Sequence, residues 1–78
     1  MSADPPPTWT VARRRVIGER LRTARTAARL SQEELAERAG IDRKTVVRLE
    51  GGASDARLTV WMLLARAVGV PLAHLVRE

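Results

Sequence analysis

Apolar residues recur at helical spacing along most of the chain, and nowhere do they alternate with period two over a useful length. Ile17, Leu21, Ala24 and Ala28 form one apolar stripe on a segment otherwise covered in arginine, which predicts a helix over about 10–28. Ser31 and Glu34 have the S-x-x-E spacing of a capping box, whose hydroxyl and carboxylate satisfy the orphan amides of a second helix over about 32–39. Gly40 follows at the place where a left-handed backbone angle turns the chain sharply. Asp42 is placed to cap a third helix, 43–50, with Val46 and Leu49 facing inward and Arg43, Lys44, Val47 and Arg48 outward, before Gly51 and Gly52 end it. Leu58, Trp61, Leu64, Ala65 and Val68 predict a fourth helix over about 58–68, closed by Gly69. Val70-Pro71-Leu72 then starts a short fifth that returns Leu72 and Leu75 to the core.

Three consecutive prolines in the first eight residues forbid a helix there, so residues 1–9 are expected to be a flexible tail and 10–78 a single domain. Trp9, at the junction, is either an aromatic staple onto the first turn or an exposed residue. At 78 residues a second domain is excluded, and a core without Phe, Tyr or Cys must be built from aliphatic residues and two tryptophans, which suits packed helices. The absence of cysteine removes disulfides and thiolate metal sites, and His74 alone does not make a zinc site. No cofactor or metal is expected. Catalysis finds no foothold, because there is no cysteine nucleophile, no serine–histidine–carboxylate set and no phosphate-cradling glycine loop. No apolar run approaches the length of a membrane span and the first residues lack a signal pattern, so a cytoplasmic setting without membrane partners is expected.

Charge narrows the partner class. The net charge is +5, with 14 basic residues against 9 acidic ones, which favours an anionic partner. Arg13, Arg14 and Arg15 sit in the basic first third, where they either touch phosphate or only aid solubility. Between Gln32 and Gly51 the pattern is more specific: a short helix, a glycine turn, and a second short helix with basic residues at its start. One helix can brace another in the major groove only if the two cross closely, which calls for small residues at the crossing and a tight turn; Ala36 and Gly40 fit those places.

The stretch LSQEELAERAGIDRKTVVRLEGG resembles the helix-turn-helix of the phage repressor and Cro type, the xenobiotic-response-element family. The likeness runs from Ile17 to Leu75 and includes LLARAVGVPLAHL, similar to that family's fourth helix, Gly-Val turn and fifth helix. It implies an all-α fold, a compact five-helix bundle, and DNA contact through the third helix. On matching positions, Arg43, Lys44 and Arg48 would face base edges, with Val47 able to touch a thymine methyl. Arginine or lysine donating to guanine O6 and N7 discriminates by about 1–3 kcal/mol, so guanines are expected in the half-site. Gln32, Thr45 and Arg57 would contact the DNA backbone, while Arg25 and Glu50 would pair and orient the recognition helix.

Two departures qualify the resemblance. Relatives often carry glutamine, asparagine or serine at the reading positions, where this chain has two arginines and a lysine. In the fourth helix, Val60, Met62 and Leu63 stand where relatives commonly tolerate polar residues, a candidate protein interface. The sequence therefore points to a sequence-specific regulator of transcription, with repression as the default and a homodimer on double-stranded DNA as the expected assembly. The alternative is a protein-interaction module, such as an antitoxin or adaptor, using the apolar surface of the fourth and fifth helices.

Overall fold

The computed structural model describes residues 7–78 as five helices in the expected order: α1 (Thr8–Ala27), α2 (Gln32–Ala39), α3 (Arg43–Glu50), α4 (Leu58–Val68) and α5 (Leu72–Val76). No strand occurs among the described residues, and no helix is long and apolar enough to cross a membrane. Residues 1–6 of the expected tail lie outside the described residues.

Helix α1 begins two residues earlier than its apolar stripe indicated. Pro7 stands at the N-cap with ψ 147°, and its carbonyl accepts both the Thr10 amide at 3.0 Å and the Thr10 hydroxyl at 2.6 Å. A proline with fixed φ and a hydroxyl one turn in thus set the start. Trp9 lies on this first turn and is 65% exposed, so it does not act as a staple. At the other end of the chain, Pro71 precedes α5 as its N-cap and is not inside the helix.

Each helix contributes to one core. Leu21 of α1, Leu35 of α2, Val46 and Leu49 of α3, Leu64 of α4 and Leu75 of α5 are fully buried, each stabilising the fold by about 1.5–3 kcal/mol. Ala24, Ala36, Ala39 and Ala65 are buried between them, where short side chains let the helix axes approach. Trp61, Leu72 and Val60 pack half-buried against this cluster. Three expected core residues are not in it: Ile17 of the α1 stripe is only half-buried and lies outside the cluster, and the other two are exposed. Ala28 is exposed, because α1 ends at Ala27 and the stripe runs past the last residue with a helix to pack on. Leu58 is 64% exposed, because it opens α4 on a side that no other helix covers.

The arginines of α1 are largely absorbed by the fold itself. Arg13 donates to the Arg77 carbonyl at 2.7 Å, and Arg20 donates to the carbonyls of Leu75, at 3.2 Å, and Arg77. These carbonyls belong to the end of α5, where no further helical turn supplies amides. Arg14 lies 3.8 Å from Asp55 in the loop after α3, and Arg15 packs over Gly52, whose bare Cα permits that approach. The cluster Arg13-Arg14-Arg15 therefore links α1 to α5 and to the α3–α4 loop.

Candidate nucleic-acid interface

The turn between α2 and α3 follows from three local features. Ser31 and Glu34 form the reciprocal capping box at the start of α2: the Glu34 amide donates to Ser31 Oγ at 3.0 Å and the Ser31 amide to Glu34 Oε1 at 2.9 Å. This bonding holds the Glu34 carboxyl below its ordinary pKa, with the Ser31 amide as the largest cause. At the far end Gly40 takes φ 71°, ψ 33°, the left-handed conformation that lets its amide reach the Glu37 carbonyl and the Ile41 amide reach that of Ala36. Asp42 occupies the N-cap of α3, but its side chain makes no capping bond. Its backbone carbonyl instead accepts the Thr45 and Val46 amides.

Helix α3 then divides cleanly around its axis. Val46, Leu49 and Glu50 are buried, while Arg43, Lys44, Val47 and Arg48 are exposed on one arc of about 140° at 100° per residue. Val47 is 42% exposed, an apolar residue held between cations. Thr45 is half-buried at the edge of this face, and Arg57 is exposed as the N-cap residue of α4. The ion pairs among the described residues are Arg14–Asp55 and Arg25–Glu50, so Arg43, Lys44, Arg48 and Arg57 have no carboxylate partner among them.

Behind that face lies a polar lock between α1 and α3. Arg25 Nε donates to Glu50 Oε2 at 2.6 Å and Nη2 to Oε1 at 3.0 Å, while Nη1 donates to the Leu30 carbonyl at 2.8 Å. The fork is bidentate and nearly dry, with side-chain exposures of 11% for Arg25 and 4% for Glu50. The Glu50 hydrogen bond raises the Arg25 pKa above its ordinary value, against a smaller opposing effect of burial. Gln32, expected at the DNA backbone, sends its Nε2 inward to Glu50 Oε1 at 3.2 Å and is half-buried. Its side chain is thus part of the lock as folded.

Of the three apolar residues of α4 singled out from sequence, Met62 is 54% and Leu63 40% exposed. Val60 differs from expectation: it packs against the core, because it lies on the side of α4 nearer Leu64 and Ala65. Sequence reasoning also passed over Gly18, the buried glycine of α1 at its crossing with α3. A glycine inside an otherwise helical pattern was the available signal.

Residues 16–78 match the family model of the helix-turn-helix domain. The chain belongs to that family. It is 43% identical over 49 residues to a protein of Methanothermobacter thermautotrophicus described as an uncharacterized HTH-type transcriptional regulator, an alignment covering 63% of this chain and 71% of that protein. Among solved structures it resembles the restriction-modification controller protein C.AhdI from Aeromonas hydrophila, with TM-score 0.80 and 39% identity over 82% of this chain and 97% of that one. The hypothetical transcription factor NHTF from Neisseria aligns with TM-score 0.80 and 30% identity over 97% of this chain and 85% of its own. The five-helix order expected from the likeness to phage repressors is the order found in this helix-turn-helix protein.

Proposed function

We propose that this helix-turn-helix protein regulates transcription by inserting α3 into the major groove of double-stranded DNA. The observation that carries the reading is the outward arc of α3, where Arg43, Lys44 and Arg48 are exposed around Val47 and have no carboxylate partner among the described residues. A helix of this width fits the major groove, and its cations match the acceptors of guanine. Arg43, Lys44 and Arg48 read bases, Val47 meets a thymine methyl, and Thr45 and Arg57 hold the backbone on either side. The lock of Arg25 with Glu50 fixes α3 against α1, so the reading residues are presented on a rigid element.

The protein acts by occupancy of its site in the cytoplasm, without catalysis, and represses where the site overlaps a promoter. Two copies bind successive major grooves about 34 Å apart, joined through the exposed Met62 and Leu63 of α4. That apolar pair is also the surface on which a protein partner would dock if the chain served as an adaptor.

Selection of bound sequences from a random DNA pool, followed by titration at several salt concentrations, tests the reading. A defined motif containing guanine is expected, with log K falling by about 0.9 per phosphate contact for each unit of log salt. Arg43→Ala should relax base preference, while Arg57→Ala weakens binding to all duplexes alike. Equal losses on every duplex for both variants would remove the base-reading assignment, and absence of any salt-dependent binding would remove the DNA reading altogether.

A further inference from the structure

The arginines of α1 are not equivalent. Arg13 and Arg20 spend their guanidinium groups on the end of α5 and Arg25 on Glu50, Arg14 lies 3.8 Å from Asp55, and Arg15 packs over Gly52 without a hydrogen bond or ion pair among the described residues. Arg22 makes no hydrogen bond or ion pair through its guanidinium among the described residues, and it is exposed. It nevertheless stands one turn before Arg25 on the same side of α1, at the i, i+3 spacing that makes helical residues neighbours. It lines a groove of about 420 Å³ together with Arg25, Gln32, Val47, Glu50 and Gly51. One wall of that groove is therefore Val47, a residue of the outward arc of α3.

The charge in this groove is simple to assign. Glu50 accepts both prongs of Arg25 and the amide of Gln32, so the carboxylate is internally satisfied and the pair contributes no net charge. Arg22 alone remains, a single positive charge on the rim next to the recognition helix. Gln32 has its amide nitrogen turned inward, which leaves Arg22 as the uncommitted cationic donor facing the space beside Val47.

We propose that Arg22 is a DNA-backbone contact, its guanidinium closing the α1 side of this groove over one phosphate of the strand that borders α3. The planar fork of arginine suits a phosphate in bidentate fashion, and a charge not already spent inside the protein can release a condensed counterion on binding. The proposal rests on the reading of α3 as a major-groove helix and adds the residue that anchors its α1 side.

The test uses the full chain, a duplex carrying the selected motif and a random-sequence duplex of equal length. Arg22→Gln should weaken binding to both about fivefold at 0.15 M salt and reduce the slope of log K against log salt by about 0.9, leaving base preference intact. Arg22→Lys should retain most of the slope. Thermal unfolding of both variants should match the parent, because the guanidinium makes no bond within the described residues. Unchanged affinity and slope for Arg22→Gln on DNA that the parent binds would overturn the proposal, as would a loss confined to the selected motif, which signifies a base contact. If the parent itself shows no salt-dependent binding, the DNA reading fails and Arg22 with it.

Discussion

Gly18 of α1 lies directly against the backbone carbonyl of Leu49, the last inward leucine of α3. A Cβ at position 18 would overlap that oxygen and come within 2.8 Å of the Glu50 carbonyl oxygen. Both obstacles are backbone atoms, which cannot swing aside as a side chain does. Two effects of Gly18→Ala therefore oppose each other. Alanine favours the helix by about 1 kcal/mol, whereas forcing α1 and α3 apart costs about 1–3 kcal/mol and disturbs the fork that Glu50 forms with Arg25, about two turns further along α1. The clash should win, with urea unfolding showing a net loss of stability. A variant more stable than the parent would show that the two helices tolerate a wider crossing.

Breaking the fork between Arg25 and Glu50 costs more than the intact pair contributes. Because both side chains are nearly inaccessible, Glu50→Ala strands a guanidinium and Arg25→Ala a carboxylate, each costing about 3–5 kcal/mol in an unfolding measurement. Joint replacement by Met at 25 and Leu at 50 removes both charges and should recover much of that loss. Single variants of either residue should lose DNA binding through unfolding or displacement of α3, so affinity in such variants is to be read only beside a folding measurement. Additive losses in the double variant would mean that the two groups act independently.

Much of this arrangement was legible in the chain, and the limits have physical reasons. The capping box at Ser31 and the left-handed Gly40 follow from chemistry confined to four or five residues, so the α2–α3 turn could be placed from sequence. Periodicity located the inward faces of α3 and α4, but a period fixes direction and not partners: it put Ala28 and Leu58 in the core although no helix covers them. Arg25 and Glu50 are 25 residues apart, and only the family resemblance connected them before the fold brought them to 2.6 Å. The ties from Arg13 and Arg20 to the end of α5 span 55 residues or more and end on backbone carbonyls, which carry no sequence signature at all.

The capping box makes stability depend on acidity in a definite direction. Glu34 has its pKa lowered from the ordinary value of 4.5 because its carboxylate accepts the Ser31 amide. A folded-state value below the unfolded one means that the contribution is fully present above about pH 4.5 and is lost as pH falls through the lowered value. Glutamine keeps an acceptor at this place but does not titrate. Glu34→Gln should accordingly be less stable than the parent near neutrality, with the difference shrinking as pH is lowered below 4.5. Thermal melts of both proteins across this range measure it, and a gap that stays constant or widens toward acid would contradict the assignment.

Helix α4 provides a contrast between neighbouring apolar residues. Val60 packs against the core, whereas Leu63 is 40% and Met62 54% exposed. A carboxylate introduced at 60 would meet the apolar cluster without a partner, so Val60→Glu should lower folding stability by about 1–3 kcal/mol whatever the assembly state. At 63 the same substitution faces solvent in a single copy and should leave the monomer's melting temperature nearly unchanged. If Leu63 lies between two copies, Leu63→Glu buries a charge in each half of the symmetric contact and should shift sedimentation to the monomer. Affinity for a two-half-site operator should then fall while binding to a single half-site is preserved. A Leu63→Glu protein that still sediments as a dimer would move the interface off this face of α4.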